Sequence, residues 1–141
     1  MNIWVNGCFD ILHTGHLDLL EFAKNFKDPQ DRYYNKNRLI VGIDSDKRVK
    51  ELKGKERPIN DENDRKRILM SLECVDDVVI YDNEEEMCEY IDVCKIHYII
   101  IGDEYRDKRV LCVDNSSDGV VFFPKDENST TNIIKKIKNI W

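Results

Sequence analysis

Short apolar runs alternate with segments of helical periodicity along this sequence, and that alternation limits the possible folds more than any other feature. Each run contains four or five residues and is bounded by glycine or polar residues; the runs are 3–6, 39–43, 78–81, 98–101 and 120–123. Nearly continuous apolar runs of this length are typical of strands that are buried on both faces. The pattern therefore predicts an α/β fold with a five-stranded parallel sheet and helices on both of its faces.

The segments between the runs carry helix signals. Apolar periodicity or N-cap residues mark 15–26, 44–46, 61–74, 84–95 and 128–141. The stretch from Lys27 to Asn37 contains Pro29 and shows no period, so we expect an exposed loop there. The stretch from Lys47 to Arg57 is strongly basic and is closed by Pro58.

Composition restricts the class of protein. The length of 141 residues suits a single domain over 1–141, and a formal net charge of −6 argues against general nucleic-acid binding. The chain contains no apolar run of about 18 residues and its N-terminus lacks the pattern of a signal peptide, so we expect a cytoplasmic protein without a membrane span. The five cysteines form no CxxC pair, and we expect reduced thiols and no zinc site.

The loop after the first predicted strand is the strongest candidate for a functional site, because ligands of parallel sheets bind beyond the carboxyl ends of the strands. This loop reads GCFDILHTGH, residues 7–16, and a helix follows it. Gly7 and Gly15 let the backbone approach a ligand closely, and a helix N-terminus favours phosphate. His13 and His16 stand three apart on the first helical turn, where both can donate hydrogen bonds to phosphate oxygens.

Two other interpretations of these histidines stay open. In the first, His13 caps the turn and His16 is a partly buried structural residue. In the second, the pair binds a metal, although His97, at a strand start, is the only further histidine in the sequence.

The segment GCFDILHTGH resembles the HxGH signature of the cytidylyltransferase-like nucleotidyltransferases. The resemblance implies a Rossmann-like three-layer sandwich in which His13 and His16 stabilise the transition state at the α-phosphate and the released pyrophosphate. It also implies that the nucleotide is bound by residues of this loop, namely Gly7, Cys8, Phe9, Asp10, Gly15 and His16.

Basic residues after the second predicted strand continue the resemblance. The motifs Ser45-Asp46, Leu52-Lys53-Gly54 and Arg57-Pro58-Ile59-Asn60 look like the family stretch in which a lysine contacts the substrate phosphates. Lys53 is the favoured catalytic lysine, and Lys55 is a second, substrate-binding candidate. Arg65 either binds a substrate phosphate or forms a helix-surface pair. A solvated basic segment is the alternative for the lysines.

Two later motifs complete the resemblance. Gly102-Asp103-Glu104 looks like the family's Gly-Asp-Asp loop, which implies nucleotide contacts by Gly102 and Asp103 and leaves Arg106 and Arg109 as candidates for the second substrate's phosphate. The motif Ser129-Thr130-Thr131 resembles the STT motif, whose hydroxyls and helix amides bind the β- and γ-phosphates. A charged turn and an ordinary N-cap are the respective alternatives.

The implied reaction is in-line attack by a substrate phosphate on the nucleotide α-phosphorus, with Mg²⁺ as cofactor and pyrophosphate as leaving group. The implied partners are a nucleoside triphosphate and a phosphorylated sugar or polyol, and the implied assembly is a homodimer.

Two members of the family share most of these motifs. The block 45–60 and the ending STTNIIKKI resemble the adenylyltransferases that make ADP-heptose from D-glycero-β-D-manno-heptose 1-phosphate. The loop 102–105 is nearer to glycerol-3-phosphate cytidylyltransferase, but Lys125–Asn128 lacks the Arg-Thr-x-Gly of the cytidylyl enzymes. We therefore favour ATP and a sugar 1-phosphate over CTP and glycerol 3-phosphate. A nucleotide-binding module without turnover is a third alternative.

Overall fold

The strands form one parallel sheet in the computed structural model, which describes residues 1–34, 36–124 and 129–141. The elements are β1 Asn2–Gly7, α1 Thr14–Asn25, β2 Arg38–Asp44, α2 Asp46–Lys53, α3 Glu62–Met70, β3 Asp77–Tyr81, α4 Glu84–Val93, β4 Tyr98–Gly102, β5 Gly119–Phe123 and α5 Thr130–Ile140. Short 3-10 turns cover Asp103–Tyr105 and Val113–Asn115. The predicted α/β fold with five parallel strands is confirmed.

The order of the strands across the sheet is β3-β2-β1-β4-β5, so the direction in which successive strands are added reverses between β1 and β4. The chain moves from β1 outward through β2 to β3, then crosses to β4 on the other side of β1. The loops that follow β1 and β4 therefore diverge, and a crevice opens between them at the carboxyl edge of the sheet.

Both faces of the sheet are covered, as the continuous apolar runs predict. Ile3 and Val5 of β1 point to one face, where they pack in a core with Leu20 of α1 and Leu69 of α3. Trp4 points to the other face, and its core includes three residues of α4 and β4, namely Met87, Ile91 and Ile99. This alternation gives the three layers of the fold.

Gly42 in β2 makes room for the largest core side chain. Trp4 is fully buried, and a β-carbon at position 42 would overlap its indole ring. The indole Nε1 donates a hydrogen bond to Asn6 Oδ1 over 3.1 Å, which satisfies its polar atom.

Most described residues of the loop from Lys27 to Asn37 are exposed, as predicted, but Asp28 and Asn37 are buried. The Asp28 carboxylate accepts hydrogen bonds from Arg32 and from the Tyr98 hydroxyl, the latter over 2.8 Å, and these satisfy it in the interior. Tyr33 donates from its hydroxyl to Asp118 over 2.8 Å. These bonds attach the loop to the amino ends of β4 and β5. Asn35 lies outside the described residues.

The prediction that all cysteines are reduced was wrong for two of them. Cys88 of α4 and Cys112, which precedes the second 3-10 turn, form a disulfide, whereas Cys8, Cys74 and Cys94 are free. The partners are 24 residues apart in sequence, and α4 contacts the 3-10 turn that follows Cys112. None of the described helices is both long enough and apolar enough to cross a bilayer.

Candidate active site

Two adjoining cavities open in the crevice at the carboxyl ends of β1 and β4, with volumes of about 450 and 420 Å³. They share a wall formed by Cys8, Phe9, His16, Lys53, Gly102, Glu104 and Tyr105. The first, here called the α1–α5 cavity, extends to His13, Gly15 and the residues Ser129–Thr131. The second, here called the β2–β3 cavity, extends to Asp44, Arg48 and Tyr81. Segments distant in sequence thus meet at one site.

The two predicted histidines lie together at the start of α1. His13 occupies the N-cap position, and its ring stacks on that of His16 with centroids 3.8 Å apart. His16 Nδ1 accepts a hydrogen bond from the His13 backbone amide over 3.3 Å. A neutral imidazole whose Nδ1 accepts carries its proton on Nε2, so His16 can donate from Nε2 to a ligand.

The position of His16 sets its charge state. Burial lowers the pKa of His16 to about 4, and electrostatic interactions with His13 and Lys53 act in the same direction. The imidazole is therefore neutral at neutral pH. The neutral ring can act as a hydrogen-bond donor that is already in place before a charged ligand binds.

Lys53 and Lys55 differ in position although they are two residues apart. Lys53 is the last residue of α2 and lines both cavities. Gly54 ends the helix, and Lys55 follows in an exposed turn that lines neither cavity. The structure therefore brings Lys53 to the histidines and leaves the substrate-binding candidate Lys55 outside.

Arg65 lies behind the cavities, where it is only 1% exposed. Its Nη1 donates to the carbonyls of Cys8 and Asp44 over 2.9 and 2.7 Å. Its Nε donates to the Asn60 carbonyl and its Nη2 to the Asp46 carboxylate. The guanidinium thus faces protein acceptors rather than the cavities, and it braces the loops after β1 and β2. Of the two alternatives for Arg65, a substrate phosphate or a pair on the helix surface, the structure shows an ion pair, but one whose guanidinium is buried rather than on the surface.

Asp10 also faces the protein. The residue is 2% exposed, and its carboxylate accepts hydrogen bonds from Arg57 Nε and from the amides of Ile59 and Asn60. Burial opposes the ionisation of Asp10, but these hydrogen bonds outweigh it and lower the pKa of the carboxyl group. Asp10 therefore holds the 57–60 segment against the first loop and borders the α1–α5 cavity.

In the loop after β4, Glu104 rather than Asp103 borders the cavities, and Gly102 lies beside it. Asp103 instead accepts from Arg106 Nε over 2.8 Å, and the Arg106 guanidinium lies 4.7 Å from the centre of the Phe122 ring. The structure therefore does not bring Asp103 or Arg106 into either cavity. Arg109 does line the β2–β3 cavity, while it pairs with Glu84 on α4.

The start of α5 closes the α1–α5 cavity. Ser129 is the N-cap and accepts from the Asn132 amide over 3.0 Å. The Thr130 hydroxyl donates to the Ile11 carbonyl over 2.9 Å, which fixes α5 to the first loop. The capping interpretation is therefore correct for Ser129, and it leaves helix amides for an anion. The 125–128 stretch that separated the two family patterns lies outside the described residues.

Three residues of the β2–β3 cavity were missed by the sequence interpretation, namely Asp44, Arg48 and Tyr81. Asp44 and Tyr81 are the last residues of β2 and β3 and pair in register. Polar residues at the carboxyl ends of parallel strands are a signal that points to Asp44 and Tyr81.

The site combines stacked histidines, a lysine and two helix N-termini at the switch point of a parallel sheet, and this combination favours a phosphate-bearing ligand. The family model described as cytidylyltransferase-like matches residues 4–136, and the chain belongs to that family. It is therefore a nucleotidyltransferase domain. The predicted resemblance is confirmed.

Relatives and a solved structure agree with this assignment. The chain is 43% identical to the bifunctional protein HldE of Aliarcobacter butzleri (strain RM4018) over 136 residues, and 41% identical to that of Campylobacter fetus over 136 residues. These alignments cover 96% of this chain but 26% and 28% of the relatives, so the chain spans about a quarter of their length. A lipopolysaccharide core biosynthesis protein from Thermoplasma volcanium superposes with a TM-score of 0.68 at 26% identity, covering 90% of this chain and 98% of that one.

Proposed function

We propose that the protein transfers an adenylyl group from ATP to a sugar 1-phosphate, D-glycero-β-D-manno-heptose 1-phosphate, and releases pyrophosphate. This proposal rests on the stacked His13–His16 pair. The pair lines the α1–α5 cavity together with Lys53 and the N-terminus of α5. The structural neighbour from T. volcanium is a lipopolysaccharide core biosynthesis protein, and this likeness supports a carbohydrate acceptor.

The two cavities divide the substrates between them. The α1–α5 cavity is lined by the N-termini of two helices, whose dipoles favour the triphosphate. The β2–β3 cavity takes the acceptor. His16 and Lys53 belong to the shared wall, so the acceptor phosphate and the α-phosphorus meet there.

The chemistry needs positioning and charge neutralisation rather than a protein nucleophile. An acceptor phosphate oxygen forms a bond to the α-phosphorus, and the bond from that phosphorus to the bridging oxygen of the pyrophosphate breaks. His16 donates from Nε2, and Lys53 supplies a positive charge where negative charge accumulates. No proton needs to be removed from the acceptor, because its phosphate is already anionic.

The cavities suit a magnesium ion that is held mainly by phosphates. Glu104 is the acidic residue of the shared wall, while Asp10 is engaged by Arg57 and two amides. Among the described residues, the only group of three possible metal ligands is Glu84 with Cys88 and Cys112, whose sulfurs form the disulfide. Mg²⁺ prefers phosphate oxygens, water and one or two carboxylates, and Glu104 fits that preference. The ion supplies neutralisation of phosphate charge.

A panel assay tests the proposal. Pyrophosphate release is measured with ATP and CTP, each combined with heptose 1-phosphate and with glycerol 3-phosphate, with and without Mg²⁺. The proposal expects the highest kcat/KM with ATP and heptose 1-phosphate. Preference for CTP and glycerol 3-phosphate supports the alternative cytidylyltransferase, and no release from any pair supports a binding module without turnover. Light scattering tests the homodimer that we propose as the assembly.

A further inference from the structure

One end of the β2–β3 cavity is formed by a charged pair that the reaction at phosphate does not use. Asp44 ends β2 and lies in register with Tyr81, which ends β3. Arg48 lies one turn further along the chain in α2, and its Nε donates to Asp44 Oδ1 over 2.9 Å. Its guanidinium carbon lies 5.7 Å from the centre of the Tyr81 ring. Three elements thus hold the pair in place.

The pair keeps hydrogen-bonding capacity for a ligand. The Asp44 and Arg48 side chains are 13% and 19% exposed, and both line the cavity. In the part of the chain that the structure describes, neither Nη group of Arg48 donates to a protein acceptor. Donor groups and a carboxylate therefore lie side by side, a pattern that matches neighbouring hydroxyl groups, each of which both donates and accepts.

We propose that Asp44 and Arg48 bind hydroxyl groups of the acceptor and select a polyhydroxylated sugar phosphate over a short polyol phosphate. The inference rests on the proposed function, since it places the acceptor phosphate at the shared wall beside His16 and Lys53. The body of the acceptor then extends along the β2–β3 cavity to the pair. Buried polar groups left without partners penalise an acceptor that lacks these hydroxyls.

A matched control pair lies on the same two strands. Arg38 begins β2 and Asp77 begins β3, and their side chains form an ion pair of 3.0 Å at the opposite edge of the sheet. This pair is 55% and 44% exposed and lines neither of the two cavities. The substitutions Asp44→Asn and Asp77→Asn therefore make the same chemical change inside and outside the proposed acceptor site.

Binding calorimetry tests the inference without turnover. Heptose 1-phosphate and glycerol 3-phosphate are titrated into the wild type, D44N, R48K and D77N, each with and without the α,β-methylene analogue of ATP. We expect D44N and R48K to bind heptose 1-phosphate about tenfold more weakly or worse, with little change for glycerol 3-phosphate. D77N should bind both as the wild type does, and the affinity for the ATP analogue should stay within about twofold in all variants.

Three results overturn the inference: wild-type affinity for heptose 1-phosphate in both D44N and R48K, an equal loss for both acceptors, or no binding of heptose 1-phosphate by the wild type. Thermal unfolding shows whether each variant is folded. If D44N does not fold, the inference is tested by the affinity of R48K, which keeps the positive charge. A different result is an affinity for the acceptor that depends on the pair while no triphosphate yields pyrophosphate. That result contradicts the proposed transfer but supports the selection of the acceptor by Asp44 and Arg48.

Discussion

His16 Nδ1 accepts a hydrogen bond from the backbone amide of His13, and the two imidazole rings stack with their centroids 3.8 Å apart. This relationship fixes which nitrogen of His16 carries a proton. It also fixes the direction in which that proton is presented, because the ring cannot turn without losing the bond. The helix start thus orients a donor before any ligand binds.

Replacing His16 by alanine should strongly reduce turnover while the protein stays folded. The loss of one oriented donor to a transition state costs about 3–4 kcal/mol, or about 10²–10³-fold in kcat. Steady-state kinetics measures kcat, and circular dichroism measures whether the variant is folded. The control is His97→Gln, since His97 lies at the opposite edge of the sheet and accepts from the Asn2 amide. Near-normal turnover of the His16 variant would refute the role.

The titration of His16 should occur near pH 4 instead of the ordinary 6.5, because burial penalises the imidazolium. Two-dimensional NMR of the histidine ring resonances measures the midpoint. Lys53→Met should raise the pKa of His16, since it removes a positive charge. Between pH 6.5 and about 4 the unfolded state binds more protons than the folded state at this residue. Its contribution to the free energy of unfolding should therefore decrease as the pH falls. A midpoint near 6.5 contradicts the account.

Lys53 and Lys55 should respond differently to the same change. Lys53→Met removes the positive charge of the shared wall, so kcat should fall by about 10²-fold. Lys55→Met serves as the matched control, because its side chain lies in an exposed turn outside both cavities. Its kcat and both KM values should stay within about twofold of the wild type. An equal loss of kcat in the two variants would mean that the lysines of the basic segment contribute equally and that Lys53 has no special role.

Arg65→Met should destabilise the fold rather than alter substrate affinity alone. The change leaves three backbone carbonyls without their donor and breaks the ion pair with the half-buried Asp46, which together cost about 3 kcal/mol or more. Urea unfolding measures the loss, and Arg67→Met on the exposed side of the same helix is the control. Unchanged stability with a raised acceptor KM would instead assign Arg65 to substrate binding.

The strands and the first loop could be predicted from sequence because their signals are local. The run 39–43 lies within β2, and Ser45 and Asp61 cap the helices that their positions indicate. The spacing of His13 and His16 predicts a shared helical face, and the two rings do stack there. Local periodicity and capping are properties of neighbouring residues, so sequence alone contains them.

The remaining features depend on contacts between distant segments. The sequence leaves open whether Arg65 binds a substrate phosphate or forms a helix-surface pair, and its burial follows from the meeting of the loops after β1 and β2. Glu104, and not the predicted Asp103, lines the cavities, since the Asp103 carboxylate accepts a hydrogen bond from Arg106 instead. The Cys88–Cys112 bond joins α4 to the loop before β5. No local pattern encodes which distant group a charged or thiol side chain meets.

The fate of the individual phosphates tests the central claim most directly. ATP labelled with ³²P at the α position and, in parallel, at the γ position is incubated with the protein, Mg²⁺ and heptose 1-phosphate, and the products are separated. Nucleotidyl transfer predicts the α label in the nucleotide sugar and the γ label in pyrophosphate. The γ label on the sugar, or no labelled product from either nucleotide, would contradict the account.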